Sequence, residues 1–459
     1  MPGTWTALRS LDARLIWALL GLPLCIWAGV LWDSFQAPRE VQSFLGASNN
    51  LYLLWLMPVV LKDLLVLWLR GLPRLRPLAV GSFLLVSWVV WGLALHGRFD
   101  SVKSSVVPLV AVLCIGAAVV LWDAAHGAWK NGQGPDLQKA FQGVSIWALA
   151  GLLTGAIVHL LGAWPERQIF LYVDGFANIR TFGETASVFA AVALATALVQ
   201  GGHFWRVAAV LAIAALAWSG TRAGWVGLAG ALFFASFFWG RPFVRGVQAA
   251  ALLALGFALS VPVPTPDGSY GAFRVGHLLQ ETQNAASTLQ RMDEIPGEEA
   301  IEGSNRLALW NWGMDRVAES PWTGMGYGSM GSIPDKPAHA HFMHLHNLPL
   351  DLAFGMGIPV ALFLVGLLLA SAFSAALRAR WDGLWALPLA SFTVLLTSLF
   401  AGLFLFPITV AVAVLGLGGA WVGRAVAPDM DSTTKNGGAD AGIVDSQDRG
   451  QGNPAAPTA

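Results

Sequence analysis

An all-α membrane protein is the fold class this sequence predicts: a polytopic bundle of about twelve transmembrane helices carrying one large, helical extracytoplasmic loop. Three observations predict it. Hydrophobic residues make up 56% of the 459 positions and charged residues only 12%, with 22 tryptophans, more apolar surface than a soluble core of this length buries. Apolar runs of about 17 to 25 residues, the length that crosses roughly 30 Å of hydrocarbon as a helix, recur along nearly the whole chain. Lysine and arginine concentrate in alternate connections, as they do when successive loops lie on opposite sides of a membrane.

The runs fall near 15–32, 51–69, 77–95, 105–122, 143–162, 183–200, 204–219, 222–239 and 245–262, and then near 348–371, 384–401 and 404–423. The first lacks a small-residue cleavage site and is expected to stay attached as a span. With the N-terminus cytoplasmic, the inner connections collect Arg9, Arg14, Arg70, Arg74, Arg76, Lys130, Lys139, Arg206, Arg241, Arg245, Arg378, Arg380 and Arg424. The short outer ones hold Arg39, Arg98, Lys103, Arg167, Arg180 and Arg222, about half as many, which satisfies the positive-inside rule. The domain plan is therefore nine spans in 1–262, an outer loop in 263–347, three more spans in 348–426, and a cytoplasmic tail in 427–459. That tail is Gly, Ala, Asp, Asn, Thr and Pro with hardly any apolar pattern, and it is expected to be disordered. Cys25 and Cys114, the 2 cysteines, both lie in expected spans, so no disulfide framework and no cysteine metal site is available.

The outer loop is long enough to be functional. Its residues 277–292 mix apolar and polar positions, and Ser304 is an expected N-cap for an amphipathic helix through Leu307, Trp310, Met314 and Val317 that stops at Pro321. Gly324-Met325-Gly326-Tyr327-Gly328 follows a helix rather than a strand, so it is a weak dinucleotide signal; an anion-binding nest and a plain turn both fit it.

Four of the 9 histidines, His339, His341, His344 and His346, stand just before the tenth run. Histidine takes and gives protons near neutrality, so this cluster at a membrane surface points to acid–base chemistry; a metal tract is the other reading. On the same expected face lie Arg180, Arg222 in the tight hairpin Trp218-Ser219-Gly220-Thr221-Arg222, and Arg274, Arg291 and Arg306 of the loop. Guanidinium groups fork onto phosphate oxygens, so such a set makes a seat for a lipid-linked diphosphate. The competing reading of Arg180 is a pair with Glu184 one turn on, and Arg291 and Arg274 read as solvated surface. The loop carboxylates Asp293, Glu294, Glu298 and Glu299 also read as solvated, not as a glycosidase pair. Lys62-Asp63 inside the second run favours a transporter of the lipid-linked glycan, against which Lys62 snorkels toward Arg70 and Asp63 pairs locally. No repeat symmetry or mid-membrane helix break supports transport.

Ordered blocks carry a family resemblance. Residues 176–183 (Phe-Ala-Asn-Ile-Arg-Thr-Phe-Gly), Ser219-Gly220-Thr221-Arg222-Ala223-Gly224, Arg306 through Trp310 to Pro321, Gly324-Met325-Gly326-Tyr327-Gly328, His344-Leu345-His346-Asn347 and Gly355-Met356-Gly357-Ile358-Pro359 resemble the O-antigen ligase and polymerase superfamily. The resemblance covers roughly 170–360. It implies a GT-C-like, metal-independent membrane glycosyltransferase of the bacterial inner membrane, active on the periplasmic side. The donor it implies is an undecaprenyl diphosphate-linked glycan and the acceptor a lipid A-core sugar; membrane lipids surround it, and neither a cofactor nor nucleic acid is expected. Carried over residue by residue, it makes His346 the catalytic histidine, with His344 the alternative two residues earlier. Arg180, Arg222, Arg306 and Asn347 become the substrate-binding set. His339 and His341 are not part of the family pattern. A single base and direct displacement imply inversion at the anomeric carbon. Length, span number and one dominant outer loop favour a ligase over an O-antigen polymerase or a protein O-oligosaccharyltransferase, the last of which usually adds a periplasmic part near its C-terminus.

Overall fold

A computed structural model of the protein describes residues 2–34, 48–70, 102–162, 173, 176, 179–239, 241–263, 304–326, 330, 333, 344–401, 407–420 and 422. Among these residues the fold is all-α, without a strand. The helices are α1 (Pro2–Arg9), α2 (Ala13–Ser34), α3 (Ser48–Arg70), α4 (Val102–Lys130), α5 (Gly134–Gly162), α6 (Ile179–Val199), α7 (His203–Ser219), α8 (Arg222–Ser236), α9 (Pro242–Ser260), α10 (Ser304–Glu319), α11 (Leu348–Met356), α12 (Ile358–Asp382), α13 (Ala386–Thr397) and α14 (Pro407–Leu417). Among the described residues, five stretches are long and apolar enough to cross a membrane: Ala13–Trp32, Gly134–Leu161, Ile179–Val199, Pro242–Ser260 and Ile358–Asp382. The run near 77–95, the first part of the outer loop and the tail lie outside the described residues.

At the centre stands α6. Its side chains are buried on every face from Thr181 to Leu198, and most are Ala, Ser, Thr or Gly, so neighbouring backbones close in around it. Helices α5, α7, α8 and α13 pack on it. Gln142 of α5 donates to Thr196 near the end of α6 (2.8 Å), which makes α5 and α6 antiparallel. Between α8 and α13, Gly227 lies against Thr397, Gly230 against Leu396, and Phe234 sits edge-on to Phe392 (5.2 Å), so these two also run antiparallel. Ser391 of α13 donates toward the carbonyls of Val412 and Ala413 in α14 (3.1 and 3.0 Å).

These pairings sort the helix ends into two groups. At one end meet the last turn of α5, the first turns of α6 and α8, the last turns of α7 and α13, and α11. At the other, Ser10 donates to Asp136 at the start of α5 (2.9 Å), and Gln138 accepts the N–H of Ala386 at the start of α13 (3.1 Å). Arg14 lies in this second group and bonds Asp63 (3.1 Å) and Asp123 (3.3 Å). The local pairing expected for Asp63 is thus replaced by an ion pair across helices, because the start of α2 brings a guanidinium between α3 and α4.

The single span expected over 348–371 is two helices. Gly357, at φ 84, ends α11, and α12 starts at Ile358. The loop after α10 causes the break: Ile358 donates to the carbonyl of Pro321 (2.8 Å) and Met325 to that of Phe354 (2.6 Å). The two backbones touch so closely that a Cβ on Gly357 would stand 2.3 Å from the Trp322 carbonyl oxygen, and one on Gly324 2.6 Å from the Met356 nitrogen. Gly324 therefore serves close packing at positive φ.

Candidate functional site

The histidine turn is held from four directions. Asn347, expected in the substrate-binding set, is extended at φ −151 and caps α11, its side-chain oxygen accepting the N–H of Leu350 (3.0 Å). The Leu345 carbonyl accepts the indole N–H of Trp310 in α10 (2.8 Å), and the Leu345 N–H goes to Asp351 Oδ1 (2.6 Å). Leu348 donates to the carbonyl of Ser398, just past α13 (2.9 Å). Beneath the turn, Leu345 packs with Leu309, Val317, Met330 and Phe354 in a small core of its own.

Those restraints keep His346 at φ 54, the left-handed region that costs a non-glycine residue about 1 kcal/mol or more. The strain has a product. It turns the His346 N–H onto Nδ1 of His344 (3.2 Å) and brings the two rings to a centroid separation of 4.0 Å at 57°. The candidate bases are therefore one constellation. Asp351 Oδ2 lies 3.8 Å from His344 Nδ1. Asp351 is in α11, outside the five candidate spans, and burial pushes its carboxyl up to about 7 against the lowering effect of the Leu345 and Asn347 N–H groups.

Arg180 and Arg222 meet at the same end of the bundle. Thr221 Oγ1 donates to the Ile179 carbonyl (3.3 Å), joining the residues that precede the two arginines. Arg180 is half-buried in the first turn of α6; Arg222 is exposed and opens α8. Among the described residues, no ion pair joins Arg180 to Glu184. Behind the hairpin, Phe176, Phe182, Trp218 and His159 form an edge-to-face series at 5.3, 5.5 and 6.0 Å. The antiparallel contact of α8 with α13 carries the hairpin to Ser398 and hence to Leu348. Arg306 stands one turn before Trp310 in α10, its side chain outside the described residues, as are His339, His341, Arg274 and Arg291.

Sequence reasoning missed Asp351, which sits inside an apolar run, and buried His159. The signal for Asp351 was a carboxylate one turn beyond an N-capping asparagine.

Residues 207–365 match the family described as O-antigen ligase, a segment that includes Arg222, Arg306, His344 and His346 and leaves Arg180 outside. A stretch of 157 residues is 28% identical to a general O-oligosaccharyltransferase of Acinetobacter baylyi, covering 33% of this chain and 25% of that relative. The chain thus matches about a quarter of the length of this curated relative. The resemblance carried by the ordered blocks is borne out as a match over part of the chain: residues 207–365 of this polytopic membrane protein are similar to the O-antigen ligase family.

Proposed function

We propose that the protein is an O-antigen ligase that moves a glycan from undecaprenyl diphosphate to a lipid A-core sugar hydroxyl, with inversion and without a metal, at the periplasmic face of the inner membrane. The observation that carries the reading is the gathering of His344, His346, Arg180 and Arg222 at one end of the bundle, linked through Leu348–Ser398 and Thr221–Ile179. The positive-inside rule assigns that end to the periplasm, since Arg14, Lys130, Lys139, Arg206, Arg241 and Arg378 belong to the other.

His346 acts as the base for the acceptor hydroxyl, and general-base help of this kind is worth about 10²- to 10⁴-fold. Departing diphosphate gains negative charge as the glycosidic bond breaks. Arg180, Arg222 and Arg306 meet that charge together with the N-terminal ends of the α6 and α8 dipoles, which favour anions. Transfer by the purified protein is the test. Forked contacts to phosphate depend on the planar guanidinium, so Arg180→Lys and Arg222→Lys each lose at least about tenfold in rate. Near-wild-type rates in both would end the diphosphate seat.

A second reading, a protein O-oligosaccharyltransferase, is favoured by the similarity to the Acinetobacter relative. Deletion separates the cases: a lost ligase leaves bare core on silver-stained lipopolysaccharide, a lost polymerase leaves one repeat on core, and a lost oligosaccharyltransferase leaves lipopolysaccharide intact with unglycosylated protein.

A further inference from the structure

Two histidine rings in tilted contact beside one buried carboxylate pose a question of proton placement. Nδ1 of His344 accepts the backbone N–H of His346 at 3.2 Å, so in this arrangement Nδ1 carries no proton and the neutral ring holds it on Nε2. A competing partner stands 3.8 Å from the same nitrogen: Oδ2 of Asp351, whose other oxygen is fixed by the Leu345 N–H at 2.6 Å. A carboxylate that moves to hydrogen-bond distance draws a proton onto Nδ1; a carboxylic acid leaves Nδ1 as an acceptor.

We propose that Asp351 is a positioning residue that selects the tautomer of His344, and so decides whether the ring offers Nε2–H as a donor or Nε2 as a second acceptor beside His346. With Asp351 protonated, His344 is a donor and His346 alone is the base. When Asp351 ionises, its proton leaves to solvent and the His344 proton exchanges from Nε2 to Nδ1, where Oδ2 takes the hydrogen bond. The imidazole stays neutral throughout, and no bond other than those to protons is made or broken.

The surroundings of Asp351 suit such a switch. It is the single titratable residue of α11, and it is buried. Of the helices packed on α11, α12 has no charged residue before Arg378. α10 carries Arg306, Asp315, Arg316 and Glu319, and Arg316 is engaged by Glu319 at 2.9 Å. α13, which ends at the Ser398 carbonyl, has no titratable residue. Among the described residues, His344 is the cationic or titratable base within 4.0 Å of the carboxyl. Burial places the Asp351 ionisation at about 7, inside the physiological range.

The consequence for transfer rests on the ligase reading, but the tautomer does not, so the test has two arms. In the first, full-length protein with ¹⁵N-labelled histidine is titrated in nanodiscs from about pH 5.5 to 8.5, the His344 signals being identified by their loss in His344→Gln. The expected result is the Nε2–H form at low pH, passing to Nδ1–H as pH rises, with Asp351→Asn, which keeps the oxygen for Leu345, held in the Nε2–H form throughout. No passage in the wild type, or the same passage in Asp351→Asn, overturns the proposal. In the second arm, kcat against pH for glycan transfer shows a limb near 7 in the wild type that Asp351→Asn lacks, with KM unchanged. Superimposable profiles also overturn it. A wild type that transfers nothing while its tautomer titrates sinks the ligase reading and leaves the switch standing.

Discussion

At the scale of single residues, the site is a case of strain held in place by hydrogen bonds. His346 sits at φ 54 because Trp310, Asp351, Ser398 and the Asn347 cap fix the residues on either side of it. Asparagine tolerates that backbone region better than most residues, so His346→Asn separates chemistry from folding. It is expected to run as a monodisperse protein on size exclusion and to lose transfer by about 10²-fold or more; an active His346→Asn would remove the base from the reading. Asp351 adds a pH dependence to stability. Its folded pKa lies above the ordinary carboxylate value of 3.8, at about 7, so its contribution to stability is fully present below the ordinary value and is lost as pH rises through 7. The melting temperature of the wild type is expected to fall between pH 6 and pH 8.5 by more than that of Asp351→Asn, measured by intrinsic fluorescence in one detergent; parallel curves would contradict it. The histidines and arginines were legible in the sequence because they are polar residues at the edges of apolar runs. Asp351 was not, since an apolar run read as one span gives no hint that its first nine residues form a separate helix.

At the scale of elements, the site depends on how closely helix ends approach. The first turn of α6 meets the α7–α8 hairpin at Gly183, where a Cβ would stand 2.1 Å from Thr221 Oγ1 and 2.2 Å from Ser219 Oγ. Gly183→Ala must push the hairpin away and weaken the Thr221–Ile179 bond that sets Arg180 beside Arg222. Overpacking of this kind costs about 1–3 kcal/mol, and the damage is expected to fall on donor capture. KM for the lipid-linked donor should rise several-fold in Gly183→Ala while the pH dependence set by the histidine turn stays as in the wild type. A change in the pH profile with KM intact would mean that the two halves of the site are not positioned separately. The existence and order of most helices followed from run length and composition alone. The break at Gly357 did not, because it arises from a tertiary contact, the backbone of 321–325 lying across the α11–α12 junction, and a contact between distant segments leaves no period in either.

At the scale of the whole molecule, the two ends of the bundle differ in kind. One gathers helix N-termini, the histidine turn and two arginines; the other gathers most of the described lysines and arginines, including Arg14 between Asp63 and Asp123. Charge asymmetry in the sequence implied this division, and helix pairing in space reproduces it independently, through Gln142–Thr196, Gln138–Ala386 and Phe234–Phe392. The side of the membrane that each end faces can be read chemically. Asn311, exposed on α10 next to Trp310, belongs to the site end; His203, exposed at the start of α7, belongs to the other. The native cysteines Cys25 and Cys114 are buried at 4% and 0% exposure, so they contribute little background to labelling of the folded protein. In intact cells with a permeabilised outer membrane, an impermeant maleimide is expected to modify Asn311→Cys and to reach His203→Cys only after the inner membrane is broken. Because a lipid-linked glycan displayed outside the cytoplasm is within reach of only one end of the bundle, the reverse labelling pattern would place the histidine turn on the wrong side of the membrane for that donor. It would overturn the proposed transfer even if every variant at His346, Arg180 and Arg222 behaved as expected.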